Sequence, residues 1–238
     1  MVFRVCGFFL AVSLAVLSLT VQANKRAFYA AEYLKYNIPE AVGVDMAGLM
    51  TVTDNIRAYL KGETSSLQVA VEVNGKARPF FNERELAHME DVRKIKIAAE
   101  RAGFGGIILF VAGALFTNQA DILQKFRTGA RGRLRARFMK NALFGMALAL
   151  PVIAAAALYF VFNFDSAFVT FHRIFFRNDL WLLNPETDLL INIMPQGFFE
   201  DAAGTAARDF AFGYCFFAAG QAFLWLWDAK LRALRRNG

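Results

Sequence analysis

The chain has 238 residues, 57% of them hydrophobic and 15% aromatic, with 20% charged and a mean hydropathy of +0.35. Such a composition excludes intrinsic disorder, which needs few apolar residues and much charge, and exceeds the ~45–50% apolar content of an ordinary soluble domain. Two cysteines exclude a disulfide framework, no C-x-x-C or Cys/His cluster offers a zinc site, and the meaning of the +7 net charge depends on where the charges sit.

In chain order, four long stretches lack Asp, Glu, Lys and Arg: 5–24, 102–120, 141–164 and 210–227, the last belonging to a span of about 208–227. A helix needs about 20 apolar residues to cross a hydrocarbon core of ~30 Å. All four stretches meet that length, and their apolar residues fill every helical face, as lipid-solvated helices require. The first has a second reading. Arg4, an apolar run and Val21-Gln22-Ala23 resemble a signal peptide, with a thin charged region and a long apolar run for that role.

Basic residues orient the spans. The segment of about 121–140 carries Lys125, Arg127, Arg131, Arg133, Arg135, Arg137 and Lys140 against the single acid Asp121, and the tail carries Lys230, Arg232, Arg235 and Arg236. Positive loops remain in the cytoplasm, so both termini and the middle loop are expected inside, with about 25–101 and 165–207 outside. A basic run that directly follows a span, with only Phe126 and Phe138 as aromatics, reads as a topology anchor on anionic lipid; nucleic acid is not an expected partner.

The first outer segment is expected to be a small extracellular α+β cap. Residues 25–36 and 45–61 read as short helices. Leu67 to Val73 alternates and is β-branched, Asn74-Gly75 follows, and Lys76 to Phe81 returns, which is a strong hairpin signal because a type I′ turn needs positive φ at both central positions. Pro79 marks the return strand as an edge. Asn82 and Glu85 form a capping-box pattern at the start of a helix expected to run into the second span, where Gly103, Gly105 and Gly106 allow a kink or close packing. The second outer segment mixes Phe, Leu, Ile and Trp with charges every few residues. It suits amphipathic pieces lying in the interface, with Trp181 at headgroup level and a turn at Asn184-Pro185 that starts a short helix with Asp188 in its first turns. The predicted fold is thus a mainly α membrane protein: one integral membrane domain with four transmembrane helices, a small cap containing a β-hairpin, and an interfacial amphipathic segment.

The chain has only two histidines, His88 and His172, both in the outer segments and both near a span. Imidazole titrates near 6.5 and moves protons at neutral pH. His88 has Glu85 at i−3 and Asp91 at i+3, so the three share a helix face. Asn178, Asp179, Glu186 and Asp188 supply polar partners around His172. Either histidine alone also fits a solvated bystander. Other nucleophiles are poor: none of the five serines sits in a G-x-S-x-G elbow, Cys6 and Cys215 lie within spans and read as packing residues, and HExxH-type metal spacings are absent. From these residues a partner-binding membrane protein and a metal-dependent membrane hydrolase both stay open.

Glu85-Leu-Ala-His88-Met-Glu-Asp91-Val92, the run from Phe171-His172-Arg173 through Asn178-Asp179-Leu180-Trp181 to Asn184-Pro185 and on to Pro195 and Phe198-Phe199, and Ile56 to Gly62 together carry a resemblance. They are similar to signatures of the lipoprotein intramolecular transacylase family, Lit, four-span membrane proteins found mainly in Gram-positive bacteria. The resemblance covers essentially the whole chain. It implies an intramolecular acyltransferase that moves the sn-2 acyl chain of a diacylglyceryl-modified lipoprotein cysteine onto that cysteine's α-amino group, giving the lyso-form lipoprotein. It implies His88 and His172 as the catalytic pair and diacylglyceryl lipoproteins as substrate; beside it, the residue reading expects Asp91, Asn178, Asp179, Trp181 and Asp188 as supporting residues, membrane lipid as a partner, no metal and no cofactor, and a site on the outer face of the bacterial cell membrane. Where family members often carry Asp before the proline, this chain has Asn184, and that position is given no catalytic role.

Overall fold

The computed structural model describes residues 2–128 and 133–234, so Arg131 of the basic loop and Arg235 and Arg236 of the tail lie outside the described residues. The element order is α1 (Val2–Gln22), α2 (Arg26–Lys35), α3 (Ile38–Val42), α4 (Met46–Lys61), β1 (Ala70–Val73), β2 (Lys76–Pro79), α5 (Glu83–Thr128), α6 (Leu134–Phe162), α7 (Phe164–Phe175), α8 (Leu189–Ile193) and α9 (Gln196–Leu234). Four of these helices, α1, α5, α6 and α9, are long and apolar enough to cross a membrane. At a rise of ~1.5 Å per residue even the 21 residues of α1 reach across a ~30 Å hydrocarbon core. In their most apolar windows only 28, 11, 17 and 6% of the residues are buried within the protein, so most of this surface is solvated by lipid. The chain is a multi-pass membrane protein.

The chain divides into two compact units. The first comprises 1–18, 101–159 and 207–238 and consists of the spanning helices. Its core is formed by Leu10, Ala11, Phe110, Phe138, Ala142, Met146 and Ala149. Lipid gives helices no hydrophobic reason to associate, so close backbone approach has to do it. The α1–α6 crossing shows how: a Cβ on Gly7 would collide with the carbonyl of Ala142, and one on Gly145 with the carbonyl of Arg4. Asp121, the one acid of the basic segment, accepts from the backbone N–H groups of Leu134 and Arg135 at 3.0 Å each, and so caps α6 from the end of α5. Cys6 is buried here as the expected packing residue, whereas Cys215, expected to pack as well, is exposed on α9.

The second unit comprises 19–100 and 160–206. Its core gathers Tyr29, Tyr33, Leu49, Val52, Ile56, Phe80, Phe81, Met89, Ile193 and Phe198 from α2, α4, the hairpin, α5, α8 and α9. The hairpin pairs Ala70 with Pro79 and Val73 with Lys76, and Asn74 and Gly75 have φ of 52° and 74°, the positive values their identities foretold. Its strands are shorter than predicted. Gln68 replaces ladder bonds with its side chain, donating from Nε2 to the Phe81 carbonyl (2.9 Å) and accepting from the Phe81 N–H (3.4 Å).

Three other expectations need adjustment. Helix α3 was not anticipated; Pro39 opens it after Asn37 in the left-handed region. The short helix near Asn184-Pro185 begins only at Leu189, because 184–188 close as a turn with the Asp188 N–H donating to the Asn184 carbonyl (2.8 Å), so Asp188 sits at the N-cap instead of inside the helix. Finally, α9 starts at Gln196, which makes the last part of the predicted interfacial segment the opening turns of the fourth long helix.

Candidate active site

The start of α5 is set by its capping box. The Asn82 side-chain oxygen accepts from the Glu85 N–H (3.0 Å), and Glu85 Oε2 accepts from the Asn82 N–H (2.7 Å). This fixes the helical phase, and one turn later His88 faces inward at 7% exposure. His172 lies in the last turn of α7, an amphipathic helix that exposes Phe171, Ile174 and Phe175 and buries Ala167 and His172. His172 is also 7% exposed.

The two imidazoles meet. Their ring centroids are 6.0 Å apart with planes 33° from parallel. His172 Nδ1 lies 2.7 Å from the Phe168 carbonyl oxygen. A carbonyl only accepts, so the proton is on Nδ1 and the Nε2 lone pair is free. His88 Nδ1 is buried without a hydrogen-bond partner. Aromatic rings wall in both: Trp181 stacks on His172 at 4.8 Å, Phe176 lies 5.3 Å from His172 and 5.2 Å from His88, and Phe168 is 4.1 Å from His172.

This enclosure sets the charge state. Burial pushes the His88 imidazole down to about 4; His172 and Arg84 act in the same direction, and Asp91 opposes them. Burial also lowers His172, partly offset by its bond to the Phe168 carbonyl. Both rings are therefore neutral at pH 7.

The remaining predicted residues divide into four groups. Trp181, 9% exposed, is in direct ring contact with His172. Asp91 and Asn178 pair with each other, Nδ2 to Oδ2 at 2.9 Å, and Asn178 Oδ1 accepts from the Leu180 N–H, so this amide holds the loop and is committed on both sides. Asp91 also takes an ion pair from Lys94 (3.4 Å) and acts on His88 only at range. Asp188 is buried, accepting from Asn82 Nδ2 (2.7 Å), the Asn184 N–H (2.7 Å) and Thr187 Oγ1 (3.0 Å), which hold its carboxyl below the ordinary carboxylate range. Asp179 turns its carboxylate outward and uses its carbonyl to accept from Arg84.

Sequence reasoning missed Phe168 and Phe176. Their positions four residues either side of His172 place them on its helical face, so the spacing was a usable signal. Among the described residues no three His, Cys, Asp or Glu side chains converge as metal ligands.

The profile of the lipoprotein intramolecular transacylase Lit family matches residues 4–199. No curated protein sequence matches the chain. Solved structures do. The in meso structure of the membrane integral lipoprotein intramolecular transacylase Lit from Bacillus cereus is 19% identical, covers 97% of each chain and superposes with a TM-score of 0.70. A histidine-to-arginine variant of that protein gives 18% identity, 97% and 93% coverage and a TM-score of 0.71. A histidine-to-alanine variant gives 19%, 97% and 96%, and 0.66. At this identity the likeness establishes a shared fold, while the profile match extends over most of the sequence. The chain belongs to the lipoprotein intramolecular transacylase Lit family, a family of membrane acyltransferases.

Proposed function

We propose that this chain converts diacylglyceryl lipoproteins to the lyso form by moving the sn-2 acyl chain from its glyceryl oxygen to the α-amino group of the same cysteine, with His88 and His172 as the acid–base pair. The observation that carries this reading is the pair of buried imidazoles, 6.0 Å apart by centroid, drawn from helices α5 and α7.

The chemistry asks for one proton off and one proton on. The amine nitrogen attacks the ester carbonyl, the N–C bond forms, and the C–O bond to glycerol breaks. The nitrogen gives up a proton and the departing oxygen takes one. His172 is the base: its Nδ1–H is held by the Phe168 carbonyl, which leaves Nε2 to accept. His88 relays that proton: one ring nitrogen takes it from the His172 imidazolium while the other gives its own proton to the departing oxygen, so both rings end neutral. Amine and ester belong to one molecule, so holding it in the right geometry removes much of the barrier without a serine nucleophile.

Membrane placement completes the reading. Basic residues near the ends of α5 and α9 and the start of α6 support an orientation with the termini and the 121–140 segment in the cytoplasm and the histidines on the outer face of the bacterial membrane. The exposed Phe171, Ile174 and Phe175 of α7 lie in the interface, where a lipidated N-terminus is presented. Lipoproteins and membrane lipid are the partners, and the acid–base scheme uses no cofactor.

The transfer leaves the substrate mass unchanged, so the test must locate the acyl group. Tandem mass spectrometry of lipoprotein N-termini from a transacylase-free host, with and without this gene, is expected to show N-acyl fragments and loss of the free amine only when the gene is present. His88→Ala and His172→Ala are each expected to reduce that product at least 100-fold with normal membrane expression. Undiminished product in both variants rejects the assignment.

A further inference from the structure

Glu85 is a carboxylate, 1% exposed, that takes no proton in the reaction proposed above. Capping α5 accounts for only one of its oxygens. The other, Oε1, accepts from the Leu190 N–H at 2.6 Å, 105 residues away in sequence. The first turns of α5 and the Asn82 that caps them make three more ties to the segment that follows α7. Asn82 Nδ2 donates to Asp188 Oδ1 (2.7 Å), Arg84 donates to the Asp179 carbonyl, and Asp91 accepts from Asn178 (2.9 Å). These four anchors bracket His88 on both sides. Between them, the 176–190 segment carries Phe176 and Trp181, the rings that cover His88 and His172.

We propose that Glu85 is a positioning residue: its buried carboxylate straps the 176–190 segment to the helical turn of His88 and thereby fixes the aromatic enclosure over both imidazoles. The strap is long-range and directional. A charged acceptor holding two backbone N–H groups is a strong hydrogen-bonding arrangement, and removing it leaves both donors buried and unpaired. The neighbouring groups are accounted for. Burial raises the Glu85 carboxyl, with a smaller push from Asp188, and Arg84 acts on Asp188 and on His88. The charged groups acting on His88 are Asp91, Arg84 and, when protonated, His172.

The proposal rests on the acid–base reading of the two histidines, and it makes a demand that capping alone does not. Loosening the enclosure lets water reach the rings, so the imidazoles move back up toward their ordinary value near 6.5. Activity that needs a neutral base then fails at a higher pH. The experiment measures the pH–rate profile of the full-length protein in detergent micelles, with a synthetic diacylglyceryl lipopeptide as probe and loss of its free amine as readout. Glu85→Gln preserves size and keeps one acceptor oxygen; Asp188→Asn loosens the same strap from its far end. Exposed Glu83→Gln, one turn from His88 and outside the strap, is the control.

For Glu85→Gln and Asp188→Asn the expected result is a kcat lowered about tenfold, KM within about twofold, and an acid limb moved upward by about one pH unit. The control keeps the native profile. If activity falls in proportion to the folded fraction while the acid limb stays in place, Glu85 is a cap and nothing more. If neither variant changes kcat, the strap is irrelevant to the site. If one variant fails to fold, the other decides by its acid limb; if neither folds, the carboxylate acts on the whole unit and the positioning role is rejected. Retained activity in both histidine-to-alanine variants strikes the underlying acid–base reading instead, whatever Glu85 does.

Discussion

At the scale of single residues, Glu32 shows how one buried group couples the fold to pH. It sits on α2, 7% exposed, with its carboxyl against that of Asp201 near the start of α9. Tyr36 donates its hydroxyl to Asp201 (2.8 Å), Lys35 pairs with the same carboxylate, and Phe28 and Tyr29 pack on Phe198 beside them. Two adjacent carboxyls cannot both ionise cheaply, so they share a proton. Burial first, and Asp201 second, raise the Glu32 carboxyl to about 7, while Asp201 is lowered, chiefly by Lys35. The folded state therefore holds a proton that the unfolded chain has already released. Stability falls as pH rises from the ordinary value near 4.5 to about 7, then levels off. Glu32→Gln removes that dependence. Thermal unfolding of the variant in detergent should match the native protein near pH 5 and exceed it at pH 8 by about 1–2 kcal/mol, discounted for solvent screening, or a few degrees in Tm. A native-like decline between pH 5 and 8 in the variant would assign the effect to another group. None of this was visible in the sequence, where Glu32 and Asp201 are two acids 169 positions apart. The histidines were visible because they are the only two, and Glu85 because capping is a local pattern.

At the scale of elements, legibility followed the range of the interactions that make each one. The spanning helices announce themselves by length and lack of charge, which lipid solvation demands of the helix alone. The hairpin turn was legible in Asn74-Gly75. Helix α3 and the opening of α9 were not, since five residues carry too little periodicity and the first turns of α9 are polar enough to pass for a loop. The α1–α6 contact was equally hidden: nothing in the sequence says that Gly7 and Gly145 face a partner. Because both sit where a Cβ would meet backbone, the contact cannot absorb a side chain by rotamer change. Gly145→Leu is therefore expected to push α1 from α6 and lower the Tm in detergent by several degrees, whereas Gly220→Leu on α9, where a Cβ meets nothing within 4 Å, should change it little. Equal losses from both would show that these helices are held by something other than close backbone approach.

At the scale of the whole molecule, orientation decides whether the histidine pair can meet its substrate. Four spans with even parity put both termini on one side, and the proposed choice of side rests on the basic residues. Lys125 and Arg127 end α5, Arg133, Arg135 and Arg137 open α6, and Lys230 lies near the end of α9, all flanking spans where the positive-inside bias is strongest. The 25–101 segment carries basic residues too, among them Lys76 and Arg78 on the hairpin, but it is long, and long segments translocate with little regard to charge. The arrangement can be checked by replacing Cys6 and Cys215 with serine and alanine, then introducing Lys76→Cys or Lys125→Cys, both at exposed positions. In intact cells a membrane-impermeant maleimide should label the first within minutes and the second only after permeabilisation. The opposite pattern would put His88, which shares the 25–101 segment with Lys76, in the cytoplasm. There an exported lipoprotein would present its lipidated cysteine on the wrong side of the bilayer, and acyl transfer at the two imidazoles could not occur.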